Sequence, residues 1–213
     1  MYTFYFAGDL FDHKDLIGNL LLAEAINDQS KGKYKAILPQ NLEAGNLRSV
    51  DIRNQDLLKV VECDLALFNF DGTDLDSGTV VEFMLAKFLD IPAILLRTDF
   101  RHCGDQDRGG DPWNLMCSGY PRTKVLFQNA MQNYHQARLS TTSSKELINA
   151  HYKKLADDII ESFDALLETE VVIQNYETIY QWSRQFAGSA FEELLSSEKL
   201  AEIIKQKRLK GLI

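Results

Sequence analysis

Through about its first 130 residues, the chain alternates short apolar runs with segments whose apolar side chains recur at helical spacing. This alternation is typical of a parallel sheet whose strands are joined by right-handed helical crossovers. The pattern therefore predicts an α/β fold with a doubly wound, flavodoxin-like parallel sheet of five strands in the order 2-1-3-4-5. The strand-like runs are 2–7, 34–38, 65–70, 91–96 and 124–127, and the helical patterns between them are 15–28, 51–62 and 80–89.

The pattern changes near residue 142, after which helical segments follow one another without a strand. Trp182, Phe186 and Phe191 make this part of the chain too apolar for a free tail. We expect an α/β domain over residues 1–140 and a C-terminal helical extension over 141–213, packed on the core or on a neighbouring subunit. The predicted helices of the extension are 146–167, 171–186 and 191–207.

Composition excludes several functional classes. The net charge of -8 argues against nucleic acid or an anionic membrane as the main partner, because both require a basic surface. No apolar run approaches the ~20 residues of a membrane span, and the N-terminus lacks a basic leader, so a cytoplasmic protein is expected. The three cysteines lack C-x-x-C spacing, which favours reduced thiols over a disulfide framework or a zinc site.

Two carboxylates, Asp76 and Glu82, lie six residues apart at the end of the third predicted strand. Paired carboxylates in different environments suit glycosyl-transfer chemistry, and open α/β sheets bind their ligands at this edge. A competing interpretation is that Thr79 and Glu82 form a capping box and serve only the helix. The two roles are compatible, because the start of a helix would also hold Glu82 ionised and nucleophilic.

Further acids are predicted at the same edge. Asp9 follows the first strand, and Asp56 lies in the helix before the third strand. Crowded carboxylates repel one another, so at least one of them should have a raised pKa and hold a proton. This favours Asp76 as a proton donor beside an attacking Glu82. For Asp71 and Asp74, a solvated turn is the preferred interpretation.

Two aromatic residues are further candidates. Tyr5 ends the first strand, where its hydroxyl would be suited to fix the carboxylate of Glu82, although core packing is the more common role of a strand tyrosine. Trp113 and Asn114 lie in the long loop after the fourth strand, and loops of that length are often functional. They would offer a stacking surface and a contact to a sugar hydroxyl, or Trp113 would be buried against a partner subunit.

Several of these segments together resemble the nucleoside 2-deoxyribosyltransferase family, over roughly residues 3–127. The segments are separated in the chain and occur in the family's order: Phe4-Tyr5-Phe6-Ala7-Gly8, Asp51-Ile52-Arg53-Asn54-Gln55-Asp56 running to Cys63-Asp64, Asp76-Ser77-Gly78-Thr79 with Glu82, and Asn114-Leu115-Met116.

The resemblance implies a retaining, ping-pong transfer of deoxyribose between nucleobases, as in nucleotide salvage. Glu82 would attack the anomeric carbon and form a deoxyribosyl-enzyme ester, which a second base then attacks. Asp76 would handle the proton of the base, Asp56 would lie near the base, and Tyr5 would orient the nucleophile. Asn114 would reach the sugar from a neighbouring subunit, so a homo-oligomer is implied. The implied ligands are deoxynucleosides and free nucleobases, with no cofactor or metal.

The matched motifs also make Gly8 and Gly78 candidate substrate-binding residues, and loose spacing suggests that Glu43 or Asn41 faces the base. More than 80 residues follow Phe127, where short family members end, so no terminal role is assigned to Ile213.

Two alternatives remain at this stage. A hydrolase of nucleoside 5'-monophosphates would share the fold and the carboxylates, but it needs a phosphate site. Asp9 and Asp12, in the loop after the first strand, disfavour a dianion there. A non-catalytic binding or scaffold protein would use Glu82 only as a cap and the C-terminal helices as its working surface.

Overall fold

A computed structural model describes residues 1–42, 48–107 and 109–213. At its centre is one sheet of five parallel strands in the order β2-β1-β3-β4-β5, which confirms the predicted α/β topology. The strands are β1 (Tyr2–Ala7), β2 (Tyr34–Ile37), β3 (Leu65–Asn69), β4 (Ala93–Arg97) and β5 (Thr123–Phe127).

Strands β1 and β3 are neighbours in the sheet although they are not consecutive in the chain, and this is the topological switch point. Their carboxyl ends approach each other closely. A Cβ atom added to Gly8 would lie 2.9 Å from the Cβ of Asn69, a separation that real Cβ atoms do not adopt. Glycine at position 8 therefore allows the chain to leave β1 directly beside the end of β3.

The predicted crossover helices are present as α1 (His13–Gln29), α2 (Ser49–Glu62) and α3 (Ser77–Phe88). A fourth helix, α4 (Ala130–Leu139), was not predicted. None of its residues is buried, so its sequence lacks the apolar stripe that reveals a helix. The remaining helices are α5 (Ser144–Leu167), α6 (Tyr176–Ser183), α7 (Ser189–Leu194) and α8 (Ser197–Leu209).

Two predicted helices of the extension differ in the structure. The helix predicted over 171–186 is shorter, and the helix predicted over 191–207 is divided in two. Val172 and Ile173 donate their backbone N–H groups to the carboxylate of Asp90, at 2.8 and 3.3 Å, so α6 begins only at Tyr176. The second predicted helix is divided into α7 and α8, because Ser196 accepts the N–H of Lys199 at 3.2 Å and caps a new helix.

The C-terminal helices pack on both faces of the sheet. Helix α5 packs beside α1 on one face. Its residue Phe163 contacts the ring of Phe4 on strand β1. On the other face, α6, α7 and α8 cover α2 and α3 with buried residues such as Tyr180, Phe191 and Leu200. The division into a domain over 1–140 and an extension over 141–213 remains a prediction. In the described part of the chain, no helix combines the length and the apolar character that a bilayer crossing requires.

A buried ion pair holds the C-terminal segment at the amino ends of β4 and β5. The Asp90 carboxylate accepts from the Arg122 guanidinium at 3.1 Å, and both side chains are almost fully buried. The same guanidinium nitrogen donates to the carbonyl of Leu212 at 3.1 Å, while Val172 donates to Asp90. We call these four residues, Asp90, Arg122, Val172 and Leu212, the amino-edge anchor.

Candidate functional site

The carboxylate of Glu82 meets the hydroxyl of Tyr5 at the switch point. Tyr5 is fully buried on β1, and its hydroxyl donates to Glu82 Oε1 at 2.6 Å. Glu82 is the sixth residue of α3, and it shares the sheet-facing side of that helix with the buried Thr79 and Phe83. The helix phase thus turns Glu82 toward β1 and away from solvent, where it is partly buried.

The capping-box interpretation of Thr79 and Glu82 is wrong. Helix α3 begins at Ser77, three residues before the predicted start, and its N-cap is Asp76. Oδ2 of Asp76 accepts from the backbone N–H of Thr79 at 2.7 Å and from its hydroxyl at 2.9 Å. The cap therefore uses Asp76, and the carboxylate of Glu82 bonds to Tyr5 instead.

The surroundings of Glu82 favour its protonated form. Burial, followed by the negative charges of Asp56 and Asp76, raises the pKa of Glu82 to about 8, although the hydrogen bond from Tyr5 opposes this shift. The expectation that the helix start would keep Glu82 ionised is wrong, because the sixth residue lies beyond the turn in which the macrodipole acts. Burial and the same acids, Glu82 and Asp56, raise the pKa of Tyr5 well above its ordinary value.

Acidic crowding extends to the loop after β1. Burial and then the charge of Asp76 raise the pKa of Asp9, with smaller contributions from Asp15, Asp71 and Asp12. This agrees with the expectation that at least one carboxyl in the cluster has a raised pKa. The loops after β1 and β3 therefore bring their negative charges together at one edge of the sheet.

Asp71 and Asp74 differ in their surroundings. Asp71 accepts the backbone N–H groups of Thr98 and Asp99 at 2.6 and 2.7 Å, so it ties the loop after β3 to the loop after β4. A solvated turn is therefore the wrong interpretation of Asp71. Asp74 is exposed, in agreement with that interpretation.

The position of Glu82 predicts that stability falls as pH rises. Its pKa is raised from an ordinary 4.5 to about 8, so between these values the folded protein holds a proton that the unfolded chain has lost. We expect Glu82→Gln to increase the free energy of unfolding by about 1–3 kcal/mol near pH ~8.5, and by much less near pH ~5. Urea unfolding at both pH values measures this difference. An equal effect at the two pH values, or the same trend in the exposed control Asp74→Asn, would contradict it.

The other predicted site residues are distributed around this pair. Gly8 lies against Asn69, and a Cβ on Gly78 would lie 3.1 Å from Asp76 Oδ2, so both glycines border the acidic edge.

Asn114 is exposed and caps a short 3₁₀ turn, Leu115–Cys117, by accepting from the N–H of Met116 at 2.9 Å. No hydrogen bond among the described residues joins Asn114 to Tyr5 or Glu82. Glu43 lies outside the described residues, and Asn41 is exposed beyond β2.

Trp113 is buried within this chain, so it is neither an exposed stacking surface nor a residue buried by a partner subunit. It is only 2% exposed, its ring packs edge-on against Phe70 with centroids 5.3 Å apart, and its indole N–H donates to Ser118 at 3.1 Å. Both sequence-based interpretations of Trp113 are therefore wrong. Its ring partner Phe70 is distant in the sequence and follows β3, so the sequence near Trp113 did not reveal this burial.

A cavity of about 640 Å³ lies between the loop after β3, the first turns of α3 and the segment after β4. We call it the β4 cavity. Its wall includes Leu75, Val80, Arg97, Trp113 and Met116, but neither Tyr5 nor Glu82. Helix α3 therefore presents one side to the cavity and another to the Tyr5–Glu82 pair. Sequence reasoning missed Arg97, because an arginine ending a buried strand has no motif that marks it.

Residues suited to metal binding are dispersed. Within residues 1–42, 48–107 and 109–213, no group of three or more His, Cys, Asp or Glu side chains is arranged to hold a metal ion. Cys63 and Cys117 are buried free thiols, and Cys103 is partly exposed.

The comparison with models of known families places this chain in one family. A model of the family described as nucleoside 2-deoxyribosyltransferase matches residues 4–116, more than half of the chain. Among solved structures, a conserved protein from Enterococcus faecalis V583 is 25% identical, with a TM-score of 0.49, over 78% of this chain and 98% of that chain. A 2-desoxiribosyltransferase from Leishmania mexicana is 23% identical, with a TM-score of 0.45, over 56% and 87%. A 2-deoxyribosyltransferase from Bacillus psychrosaccharolyticus is 19% identical, with a TM-score of 0.39, over 46% and 74%. No curated protein matches the chain significantly.

Proposed function

We propose, from the premise that this chain belongs to the nucleoside 2-deoxyribosyltransferase family, that it transfers a 2-deoxyribosyl group from one nucleobase to another. The observation that carries this proposal is the Glu82 carboxylate, which Tyr5 holds at 2.6 Å at the switch point of the sheet. A carboxylate with a fixed rotamer and little solvation is suited to act as a nucleophile at a sugar carbon.

The proposed reaction begins with the transfer of the Glu82 proton to Asp76, whose charge is coupled to Glu82. The Glu82 carboxylate then attacks C1' of a deoxynucleoside as the bond between C1' and the base breaks. The bond electrons go to the base, which takes the proton from Asp76. A second base attacks C1' of the resulting ester and gives its N–H proton to Asp76, while the bond between C1' and Glu82 breaks and its electrons return to the carboxylate, so two inversions give net retention.

The acidic surroundings favour this transition state over the ground state. Positive charge develops on the sugar as the base leaves, and it lies beside the ionised carboxylate of Glu82, on which the negative charge of Asp56 also acts. The cationic sugar offsets the repulsion between these two charges only while the bond is breaking. Electrostatic stabilisation of this kind lowers the barrier instead of merely tightening substrate binding.

We also propose that Asn114 acts on the sugar bound to a neighbouring subunit. It is exposed at the rim of the β4 cavity, and its hydrogen bond is to Met116 rather than to the Tyr5–Glu82 pair. A second copy of the chain would bring an equivalent Asn114 to the site, so the active form is proposed to be a homo-oligomer.

Hydrolysis of nucleoside 5'-monophosphates is the less favoured function. Asp9 lies in the loop that would have to bind the phosphate, and Asp12 caps the next helix from the same loop. The charges of Asp12, Asp15, Asp71 and Asp76 already act on Asp9. A dianionic phosphate would add to this repulsion, so uncharged deoxynucleosides fit the site better.

The proposal is tested by incubating the protein with a deoxynucleoside, first alone and then with an excess of a second base. We expect a new deoxynucleoside only in the second case, and a deoxyribosyl adduct on the peptide that contains Glu82 in the first. Chromatography identifies the products and mass spectrometry locates the adduct. Release of free deoxyribose without exchange, or turnover of the 5'-monophosphate in preference to the deoxynucleoside, would favour the hydrolase instead.

A further inference from the structure

Arg97 is a buried cation whose donors are only partly used. Its side chain is fully buried at the end of β4, and a guanidinium carries five N–H donors. One terminal nitrogen donates to the carbonyl of Phe70, and the other donates to the carbonyl of Arg101 at 3.0 Å. Nε has no hydrogen-bond partner among the described residues. A buried donor without a partner is destabilising, so a group that accepts from it would be favoured.

No carboxylate in the described chain forms an ion pair with Arg97. The nearby Asp99, on which Arg97 acts at longer range, pairs with Arg101 instead. Arg97 also lines the β4 cavity, whose volume of about 640 Å³ is in the range that holds a small organic molecule. The buried guanidinium and the cavity beside it are two separate observations that indicate one ligand site.

The remaining wall defines the chemistry of that ligand. Leu75, Val80, Trp113 and Met116 give the cavity a mainly apolar surface. Asp105 also lines it and accepts from the N–H of Leu115 at 2.8 Å, so the cavity contains negative charge that disfavours an anion. A neutral, flat heterocycle with a carbonyl oxygen toward Arg97 satisfies both conditions.

The wall is preformed rather than adaptable. Gly104 lines the cavity with φ of +85°, and a Cβ there would lie 2.4 Å from the backbone carbon of Trp113. The chain therefore packs directly against Trp113, which is in turn buried against Phe70. A cavity with a fixed wall binds a rigid ligand at a lower entropic cost.

We propose that the β4 cavity is a second ligand site, separate from the Tyr5–Glu82 pair, which binds a free keto nucleobase such as hypoxanthine through Arg97. Arginine recognises the adjacent carbonyl oxygen and ring nitrogen of a keto purine, whereas adenine presents an amino donor at the carbonyl position. The choice of a nucleobase rests on the proposed function, in which free bases are substrates and products.

The chain contains a native reporter for this site. Trp113 lines the cavity, and the one other tryptophan, Trp182, is 49% exposed on α6. Trp182→Phe combined with Glu82→Gln gives a protein whose fluorescence comes from Trp113 alone and in which transfer is disabled. Titration with hypoxanthine is expected to change this fluorescence saturably, with affinity at least about tenfold higher than for adenine. No saturable change, or equal affinity for adenine, would overturn the proposal.

Matched variants locate the binding. Met116 and the adjacent Leu115 are both exposed, but only Met116 lines the cavity. In the same background, Met116→Tyr should weaken hypoxanthine binding at least about tenfold, and Leu115→Tyr should leave it within about twofold. Equal effects of the two changes would overturn the proposal. Arg97→Gln should remove the preference for hypoxanthine over adenine, and if this variant does not fold, the Met116 and Leu115 pair decides the question.

The two proposals can fail separately. Base exchange by the unmodified protein, with no hypoxanthine binding to the Trp113 reporter, would refute the cavity proposal and leave the transferase intact. Hypoxanthine binding that Met116→Tyr weakens, in a protein without base exchange, would refute the transferase and leave the cavity site as a binding site.

Discussion

Glu82→Gln is expected to lower the rate of base exchange by at least about a thousandfold, because an amide cannot form the ester that we propose as the intermediate. Glutamine is nearly isosteric and keeps an oxygen that can accept from Tyr5, so the protein should remain folded. The measurement is the initial rate of formation of a second deoxynucleoside, with circular dichroism as the check on folding.

Two further variants separate chemistry from positioning. Tyr5→Phe removes the hydrogen bond to Glu82 but keeps the carboxylate, so a smaller loss of about ten- to a hundredfold is expected, with the pH dependence of the rate displaced. Asp74→Asn changes an exposed acid of the same loop and should have little effect. Base exchange that persists in Glu82→Gln, or a loss as large in Asp74→Asn, would exclude Glu82 as the nucleophile.

Asp90→Ala is expected to destabilise the protein by about 3–5 kcal/mol, because it leaves the guanidinium of Arg122 buried without its counter-charge. It also removes the acceptor for the N–H groups of Val172 and Ile173. Asp90 has φ of +56°, which alanine tolerates poorly and which adds to the loss. Denaturant unfolding measures the effect, and a decrease in Tm of roughly 10 °C is expected.

An exposed ion pair supplies the control for the amino-edge anchor. Lys153 and Asp157 lie 2.8 Å apart on α5 with about half of each side chain exposed, so Asp157→Ala should cost less than about 1 kcal/mol. Asp90→Asn keeps an acceptor for Val172 and suits the positive φ, so its cost should be intermediate. A loss in Asp90→Ala no greater than in Asp157→Ala would show that the anchor contributes little to stability.

The sheet could be predicted because the sequence signals for its strands and crossover helices lie within each segment. Each buried strand is a short apolar run, and each crossover helix repeats its apolar residues at helical spacing, as Leu57, Val60 and Val61 do in α2. Helix α4 has no buried residue and left no such signal. The breaks near residues 173 and 195 were missed because hydrogen bonds decide them, and the acceptor of one of those bonds is Asp90, more than 80 residues away from the donor Val172.

The candidate site was only partly predictable. The edge of the sheet and the types of residue followed from topology, which brings Tyr5 on β1 close to the helix after β3. The cap was misassigned because the sequence pattern at Thr79 and Glu82 is satisfied equally well by a helix that begins three residues earlier. The pKa of Glu82 was expected in the wrong direction, because burial is a property of the assembled fold and no local pattern reports it.

The amino-edge anchor also bears on the order of events during folding. It joins Asp90 to Val172 across 82 residues and Arg122 to Leu212 across 90 residues. Contacts of such long range form slowly, so we expect the sheet to assemble before α6, α7 and α8 dock. In that interval the outer side of α2 and α3 stays uncovered, and a newly synthesised chain would present an apolar surface to chaperones while the edge that carries Tyr5 and Glu82 is already in place.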